Sequence, residues 1–206
     1  MFLTNSHPEF SLERESEFWQ YYIFMKAGQF GSELAQRTLP FVRNRSLALD
    51  LGSGPANDIE YLLDGGFEQI VAVDSNPQAQ IAIEGFRTVE YRSKVRFQLT
   101  PFQDFQFDPN GYDLVFSHGS LAFHRTEGFI PFMQRLVGAV RPGGIAAFTI
   151  CDPGHQVIER YPVLASMSRD DIDRLIAGME LLHHELDTNN DPDDMVANHV
   201  VIARRR

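Results

Sequence analysis

Two aspartates, each at the end of an apolar run, are the first residues of this chain whose types and spacing indicate chemistry. Asp50 lies in LALDLGSGPAND (47–58), just ahead of a turn on Gly52 and Gly54, and Asp74 ends the next run, QIVAVD. The carboxyl ends of parallel strands meet at one edge of a sheet, so we expect both carboxylates beside the same crevice. There, Asp74 can accept both hydroxyls of a ribose, and Asp50 can favour a nearby ammonium group.

The glycine turn lacks the pattern of the common phosphate-binding turns. A dinucleotide fingerprint needs a third glycine at the position of Asn57, and no Gly-Lys-Ser/Thr of a P-loop follows. Gly52 and Gly54 still allow the backbone to approach a ligand closely. A ligand with a ribose and an amino-acid end, but no pyrophosphate, satisfies both aspartates. S-adenosylmethionine (SAM) is such a ligand.

The elements that must position these residues alternate between strands and helices. This alternation predicts right-handed crossovers and a parallel sheet with helices on both faces. The predicted strands are 46–51, 69–74, 95–100, 112–117 and 145–150; the predicted helices between them are 57–66, Pro77 to about Arg87, and 126–140, followed by a turn at RPGG (141–144).

The end of the chain departs from this alternation. A helix capped by Ser168 is predicted at 168–176, and two strands follow at 179–187 and 195–205, with no helix between them. These strands should form a hairpin, so the last strand should run antiparallel to the others. We therefore predict an α/β fold with a Rossmann-like, doubly wound, seven-stranded sheet, mostly parallel, with a C-terminal antiparallel hairpin.

Four segments, in this order, resemble the class I SAM-dependent methyltransferases: DLGSGPAND, VAVDSNP, YDLVFS and VRPGGIAAF. The resemblance covers residues 45–205 and includes the terminal hairpin. It implies SAM as cofactor, S-adenosylhomocysteine as product and direct in-line methyl transfer. In this family the first motif surrounds the methionine end of SAM, the acid after strand two holds the ribose, and the residues after strand three flank the adenine. The cofactor-binding residues that this implies are Asp50, Gly52, Ser53, Gly54, Asp74, Ser75, Pro101, Phe102 and Ser117.

The chain departs from the family pattern at two positions. Ala56 stands where a third glycine is often found, a mild change at a turn-to-helix position. Pro101 stands where many members place an acid near the adenine amino group. The adenine would then be recognised by backbone groups and Phe102, or Asp104 would contact its amino group from three residues further on. The sequence leaves both alternatives open.

The methyl acceptor should lie beyond strand four, which continues as SHGSLAFH (117–124). This segment lacks the N/D-P-P-Y motif of family members that methylate the exocyclic amines of bases. His118 is a candidate general base because histidine titrates near neutrality; alternatively it caps the next helix or contacts the SAM carboxylate. His124 is a second candidate. A base is needed only if the acceptor must lose a proton.

Residues 1–44 are predicted as a helical lid over a SAM-binding domain of residues 45–206. Helices over 14–39 should break near Gly28 and Gly31, and their aromatic residues either roof the cofactor or pack on the core.

Tyr21 and Tyr22 are candidate acceptor-site residues on this lid. They point to different sides of a helix, so at most one should face the pocket. The only irregular segment after strand five is 151–167. A pocket built from such short segments favours a small-molecule acceptor.

Charge and composition exclude several classes of partner. With 18 basic and 28 acidic residues, the formal net charge is -10, which disfavours nucleic acid, and Arg204–Arg206 are predicted as a solvated tail. Cys151 is the only cysteine, so neither an intramolecular disulfide nor a Cys-rich zinc site is possible. His183 and His184 alternate on a predicted strand, one inward and one outward, and no metal site is predicted.

No membrane partner is expected, because no apolar stretch is long enough to span a bilayer. The start, MFLTNSHPEFSLERE, lacks the order of a signal peptide, so a cytoplasmic location is expected. The oligomeric state is left open. Two alternative functions also stay open: a natural-product enzyme that uses bound SAM without methyl transfer, and a non-catalytic SAM-binding domain. Asn57 and the hairpin count against a dinucleotide-dependent dehydrogenase.

Overall fold

Seven strands form one sheet in the part of the chain that the computed structural model describes, which comprises residues 12–86, 88–155, 158, 164–186 and 199–206. The strands are β1 (Leu47–Leu51), β2 (Gln69–Asp74), β3 (Val95–Leu99), β4 (Tyr112–Ser117), β5 (Val140–Ile150), β6 (Met179–Leu186) and β7 (His199–Arg205). Their order across the sheet is β3-β2-β1-β4-β5-β7-β6. Neighbours from β3 to β5 pair in parallel, and β7 is antiparallel to both β5 and β6. The predicted fold class is therefore confirmed.

Helices pack on both faces of this sheet, and local capping explains where several of them begin. The side chain of Asn76 accepts a hydrogen bond from Gln78 N, and Pro77 occupies the first turn. Ser168 and Asp171 form a reciprocal capping box. The helices are α1 (Leu12–Lys26), α2 (Glu33–Thr38), α3 (Asn57–Asp64), α4 (Pro77–Glu84), α5 (Val89–Ser93), α6 (Phe129–Gly138) and α7 (Arg169–Leu175).

Three boundaries differ from the sequence prediction. The RPGG segment is not a free turn, since Val140 already pairs with Tyr112 and a register shift leads into the rest of β5. The helix predicted to reach Arg87 ends at Glu84, and the separate α5 that follows it was missed. The helix predicted over 126–140 begins at Phe129, after Gly128 in the left-handed region. The predicted hairpin loop lies outside the described residues.

Alternate residues of the central strands belong to two separate hydrophobic cores, one on each face of the sheet. Leu49 of β1 and Val115 of β4 belong to the cluster that includes α6 and α7. Ala48 and Leu114 belong to the opposite cluster, which includes α3. This alternation follows from strand geometry, and burial on both faces explains the continuous apolar runs. The carboxyl ends of β1 and β4 are thus held firmly on both sides.

The C-terminal arginines are part of the fold, which corrects their prediction as a solvated tail. Arg204 forms an ion pair with Glu180 (2.9 Å). Arg205 donates to the carbonyls of Gly138 (3.1 Å) and Val140 (2.6 Å). Antiparallel pairing of β7 brings these side chains beside β6 and the start of β5, so two of the three cations are already engaged.

The N-terminal helix α1 crosses the carboxyl edge of the sheet. Trp19 packs edge-on against Phe123, just beyond β4, with ring centroids 4.8 Å apart. Further along, α1 packs against α4, which follows β2. The amide of Asn57 donates to Lys26 O (2.8 Å) and ties the end of α1 to the start of α3. Among the described residues, no helix has the length and apolar character needed to cross a membrane.

Candidate functional site

The turn after β1 has a backbone that favours residues without a side chain. Gly52 (φ 75°) and Gly54 (φ 45°) both have positive φ, and a methyl group at Gly52 would overlap Ser120 Cβ. The amides of Gly52 and Ser53 donate to Val73 O at 2.8 and 3.2 Å, so the turn is fixed to β2.

The turn then enters α3 through a strained residue. Ala56 has φ 61° and is buried, and this left-handed conformation costs a non-glycine residue about 1–2 kcal/mol. The replacement of the third glycine by alanine is therefore a strained substitution and not the mild change that the sequence suggested.

Asp50 is a buried carboxylate beside two others. Asp50 as a whole is only 3% exposed to solvent. Burial raises the pKa of Asp50 well above its usual range, and the negative charges of Asp58 and Asp74 raise this pKa further. A cation placed here would favour the ionised form of Asp50. The site therefore has the electrostatics expected of a pocket for a positively charged ligand.

Asp74 shapes the turn from the end of β2. Its Oδ2 accepts from Gly54 N and its Oδ1 from Asn76 N, both at 2.8 Å. Burial raises the pKa of Asp74, while these backbone N–H groups and that of Ser75 oppose the rise. Each carboxylate oxygen keeps further acceptor capacity, which a ribose hydroxyl could use. Ser75 itself is exposed at the rim.

Ser53 supplies a direct test of whether the turn fits SAM. Its hydroxyl is buried and has no hydrogen-bond partner among the described residues. An unsatisfied buried polar group is costly, so it marks a place where a ligand group would be stabilised. Together, the Ser53 hydroxyl and the buried Asp50 carboxyl suit a ligand end that carries both a carboxylate and an ammonium group.

Phe102 forms one wall on the β3 side. Its ring is stacked with His124 (6.1 Å between centroids) and packs against Phe132 (5.8 Å). His124 is 5% exposed, and its Nδ1 lies 2.5 Å from Arg125 O. His124 is thus embedded in an aromatic cluster, and it supports Phe102 from behind.

Pro101 and Asp104 are both exposed after β3. Asp104 lines a groove of about 440 Å³ with Arg96 and Gln98, on the outer side of β3. The contact of Phe102 and backbone groups with adenine, and the reach of Asp104 towards it, both stay predictions.

Ser117 joins β4 to β1. Its buried hydroxyl lies 2.9 Å from Leu51 O and 2.8 Å from Ser120 Oγ, and Ser120 Oγ is 2.8 Å from the same carbonyl. Gly119 N donates to Thr149 Oγ1 (2.8 Å) and fixes the segment to β5. Because the hydroxyl of Ser117 is used in this link between β4 and β1, the residue would line the predicted cofactor site with its backbone atoms.

His118 lies beside an acid that the sequence analysis did not single out. Its Nδ1 is 3.7 Å from Oδ2 of Asp58, in the first turn of α3. Oδ1 of Asp58 accepts from Ser32 N (2.6 Å), which caps α2. The only sequence signal for Asp58 is an acidic residue in the first turn of the helix after the glycine turn.

The two candidate tyrosines of α1 face different ways. Tyr21 is 65% exposed, whereas Tyr22 packs edge-on against Trp19 with centroids 5.6 Å apart. Trp19, which the sequence analysis did not single out as a site residue, contacts the segment after β4 through Phe123. The catalytic roles of Tyr21, Tyr22 and His118 stay predictions.

The adjacent histidines of β6 have separate partners. His183 Nε2 lies 2.9 Å from Arg37 Nη1 of α2. His184 Nε2 lies 2.9 Å from His199 Nδ1, and His199 Nε2 lies 2.9 Å from Asp152 Oδ2. Within the described ranges, no three histidine, cysteine or acidic residues are arranged to hold a metal ion.

Comparison with known proteins supports the class that the sequence motifs predict. Residues 48–144 match the family model described as a methyltransferase domain. Among solved structures, a methyltransferase in complex with the Trm112 methyltransferase activator of Haloferax volcanii has a TM-score of 0.69 at 16% identity, covering 94% of this chain and 97% of that one. A protein described as an S-adenosylmethionine-dependent methyltransferase from Listeria monocytogenes has a TM-score of 0.64 at 16% identity (84% and 96% covered).

A third structure contains both a product and an acceptor. It is the 1,6-didemethyltoxoflavin-N1-methyltransferase of Burkholderia thailandensis with 1,6-didemethyltoxoflavin and S-adenosylhomocysteine, with a TM-score of 0.60 at 15% identity (98% and 93% covered). No curated protein sequence matched the chain. At these identities the structures show the fold, and the family match adds the domain type.

The methyltransferase domain matched over residues 48–144 and the shared fold together indicate a class I SAM-dependent methyltransferase with SAM as its cofactor. The family match covers β1 to β4 and the first residues of β5.

Proposed function

We propose that this methyltransferase transfers the methyl group of SAM to a small-molecule acceptor. The observation that carries the proposal is the path of α1, whose Trp19 packs on Phe123 beyond β4 while its later turns pack on α4. The helix thereby crosses the carboxyl edge at which a doubly wound sheet binds its ligand. A covered space of this kind suits a small acceptor better than a polymer.

The roles proposed for the cofactor-binding residues follow from their chemistry. Asp50 would pair with the methionine ammonium group, and Ser53 would donate to the carboxylate. Asp74 would accept from the ribose hydroxyls, and Phe102 would pack on the adenine. When bound, SAM supplies an electrophilic methyl group on a sulfonium. The remaining predicted residues, Gly52, Gly54, Ser75, Pro101 and Ser117, would contribute backbone groups or line the rim.

On the acceptor side, His118 is the proposed general base for an acceptor that must lose a proton. It follows β4 directly, and 36% of its side chain is exposed. Trp19, with Tyr22 beside it, would form an aromatic roof that excludes water, and an aromatic face also favours a nearby cation.

Calorimetry tests the cofactor site. SAM should bind the wild-type protein, and Asp74→Ala should weaken binding at least about ten-fold, because a hydrogen bond to a charged group contributes about 1.5–3 kcal/mol. Glu68→Gln is the matched control, since it removes an exposed acid at the opposite end of β2. Undiminished binding by Asp74→Ala, or equal loss in Glu68→Gln, would contradict the proposed site.

Product analysis tests the reaction. Incubation with SAM and a panel of small amines, phenols and thiols should release S-adenosylhomocysteine in equal amount to a methylated acceptor. SAM consumption without that product would instead support an enzyme that uses bound SAM differently. Tight binding with no turnover on any acceptor, small or macromolecular, would support a non-catalytic SAM-binding domain.

A second candidate is a methyltransferase that works with a protein partner, as suggested by the activator-bound structural neighbour. The observation that favours it is the edge strand β3, where Leu99 is 55% exposed beside the groove of about 440 Å³. Two measurements on the purified protein alone, light scattering and SAM binding, distinguish the partner-dependent enzyme from one that works without a partner. Aggregation with no SAM binding, corrected by a copurifying protein, would favour the partner-dependent candidate.

The lid and the cofactor domain are proposed as residues 1–44 and 45–206. This division is supported by α1, which precedes β1 and packs on Phe123 and α4. The second helix, α2, instead packs into the core through Leu34 and Ala35. We also propose a cytoplasmic location without membrane or nucleic-acid partners, which the buried free thiol of Cys151 and the net charge of -10 support.

A further inference from the structure

We propose that Asp58 is a positioning residue that selects the tautomer of His118 and holds the base of the α1–α2 segment against the cofactor turn. This inference rests on the proposed function of His118 as a general base. It concerns a residue that neither the glycine turn nor the family pattern singles out.

The two oxygens of Asp58 serve two different parts of the chain. The side chain is only 15% exposed. Oδ1 accepts from Ser32 N at 2.6 Å, and Oδ2 lies 3.7 Å from His118 Nδ1. Asp58 also lies close enough to Asp50 for its charge to raise the pKa of that carboxyl. The residue therefore binds the lid base, lies close to the candidate base and acts on the cofactor site through its charge.

The chemistry of the pair selects one tautomer. An ionised carboxylate only accepts hydrogen bonds, and a neutral imidazole carries one N–H and one lone pair. With Oδ2 on the side of Nδ1, His118 is stabilised with its proton on Nδ1, which leaves the Nε2 lone pair free. The present separation exceeds a hydrogen bond, but catalytic hydrogen bonds are often long before ligands bind and shorten afterwards.

The Nδ1–H tautomer also completes the proton balance of the proposed reaction. A proton that leaves the acceptor moves to Nε2 of His118. The resulting imidazolium carries a positive charge beside the carboxylate of Asp58, which stabilises it. The same arrangement of a carboxylate behind a histidine base orients the imidazole in hydrolases.

The start of α3 also holds both ends of the α1–α2 connection. Asn57 Nδ2 donates to Lys26 O at 2.8 Å, at the end of α1, and Asp58 accepts from Ser32 N, at the start of α2. Asn57 and Asp58 directly follow the glycine turn. A change in this turn on cofactor binding would therefore reach the lid base and His118 through the same two residues.

The variant Asp58→Asn separates the two roles. Its amide oxygen can still accept from Ser32 N, but its NH₂ group would then face His118 and require an acceptor at Nδ1. Nitrogen-15 NMR of the imidazole, assigned by comparison with His118→Gln, should show the Nδ1–H tautomer in the wild type. The same spectrum should show mainly the Nε2–H tautomer in Asp58→Asn. A wild-type Nε2–H tautomer, or no change in the variant, overturns the proposal.

Asp58→Ala tests the lid base, because it removes both contacts. Amide hydrogen exchange of residues 27–32 should be about ten-fold faster in this variant than in the wild type, and close to wild type in Asp58→Asn. Equal exchange in all three proteins overturns this part of the proposal. If Asp58→Ala fails to fold, the comparison of Asp58→Asn with the wild type still decides the tautomer.

Glu60→Gln is the control for charge and helix position, since it removes another carboxylate from the first turn of α3. It should change neither the tautomer nor the exchange, and the same changes in this control would overturn the specific role of Asp58. S-adenosylhomocysteine binding, measured on the same samples, reports on the proposed function separately. Absence of binding with an intact Nδ1–H tautomer would contradict the function and not the positioning role.

Discussion

Asp50 is a buried acid whose charge state depends on what lies beside it. Burial and the charges of two neighbouring carboxylates raise its pKa, so the protonated form persists to higher pH than for an ordinary aspartate. The stability that this raised pKa contributes is present at low pH and is lost as pH rises through the folded-state pKa. A ligand ammonium group lowers this pKa, so ligand binding should release a proton from Asp50.

At the residue scale, we therefore expect SAM affinity to increase with pH, by up to about ten-fold per pH unit below the pKa of Asp50. Calorimetry between about pH 5.5 and pH 8, in buffers with different ionisation enthalpies, measures both the affinity and the proton release. Asp50→Asn should weaken binding, flatten this dependence and raise the melting temperature of the ligand-free protein. A pH profile in Asp50→Asn as steep as that of the wild type would contradict the expectation.

Gly52→Ala should destabilise the protein by at least about 2 kcal/mol, because it combines a positive φ with an overlap on Ser120. Gly138→Ala is the matched control, since a methyl group there meets no atom and φ is not positive. Adding Ser120→Gly should recover part of the loss by removing the overlap. Urea unfolding measures all three, and equal stability of the Gly52 and Gly138 variants would exclude this account.

At the element scale, α1 packs on Phe123 and α4 with one side and leaves much of its remaining surface exposed. Trp19 on Phe123 anchors its middle, and Asn57 and Asp58 anchor the connection that follows. Phe24 and Tyr21 are more than half exposed, so much of the helix surface is not packed. An element with few buried contacts is one that opens at low free-energy cost.

Trp19 is the only tryptophan of the chain, so its fluorescence reports on this helix. S-adenosylhomocysteine should change the emission of Trp19 with the same dissociation constant that calorimetry gives. Phe123→Ala should reduce the change by removing the ring against which Trp19 packs, whereas Tyr21→Ala, on the exposed side, should not. If emission is insensitive to ligand while calorimetry shows binding, α1 does not cover the site.

A second element-scale feature joins the terminal hairpin to the end of β5. Asp152 only accepts, so His199 donates to it from Nε2, and its Nδ1 must then accept from His184 Nε2. This order leaves His184 Nδ1 as a buried acceptor without a partner in the described chain. Burial lowers the pKa of His184 to about 4, and Arg169 and His199 contribute, with His183 a smaller cause and Asp173 acting in the opposite direction.

Acid should therefore destabilise the hairpin. The stability contributed by neutral His184 is complete above the unfolded pKa of about 6.5 and is lost as pH falls towards about 4. Urea unfolding at pH 7.5 and about pH 5 should show a smaller loss in His184→Gln, which cannot gain the charge. His183→Gln is the control on the adjacent residue. Equal acid sensitivity of all three proteins would contradict the assignment.

At the scale of the whole molecule, the charge of -10 is not offset by an exposed basic surface at the C-terminus, because Arg204 and Arg205 have intramolecular partners. Phosphate contacts provide most of the affinity in non-specific nucleic-acid binding. We therefore expect neither transfer RNA nor duplex DNA to shift in a gel at about 0.15 M salt. Binding there that weakens as salt increases would revise the proposed small-molecule acceptor.

The sheet and its order along the chain could be predicted because local signals agree with the tertiary fold. The continuous apolar run of β1 follows from burial on both faces, and the absence of a helical segment between β6 and β7 indicates the hairpin. Where the prediction was wrong, long-range pairing decided the structure. Val140 joins β5 because Tyr112 lies opposite, and Arg204 is engaged because β6 brings Glu180 alongside.

The same division holds at the site. By itself, the sequence determined the donor: Asp50, the glycine turn and Asp74 lie within neighbouring units of one motif, so their spacing alone places them at one edge. Only the tertiary structure decided that Asp58 lies between His118 and Ser32, and that Trp19 rather than Tyr21 contacts the segment after β4. Those contacts join residues far apart in the chain. Their distances depend on how the helices pack on the sheet, which a local sequence pattern does not show.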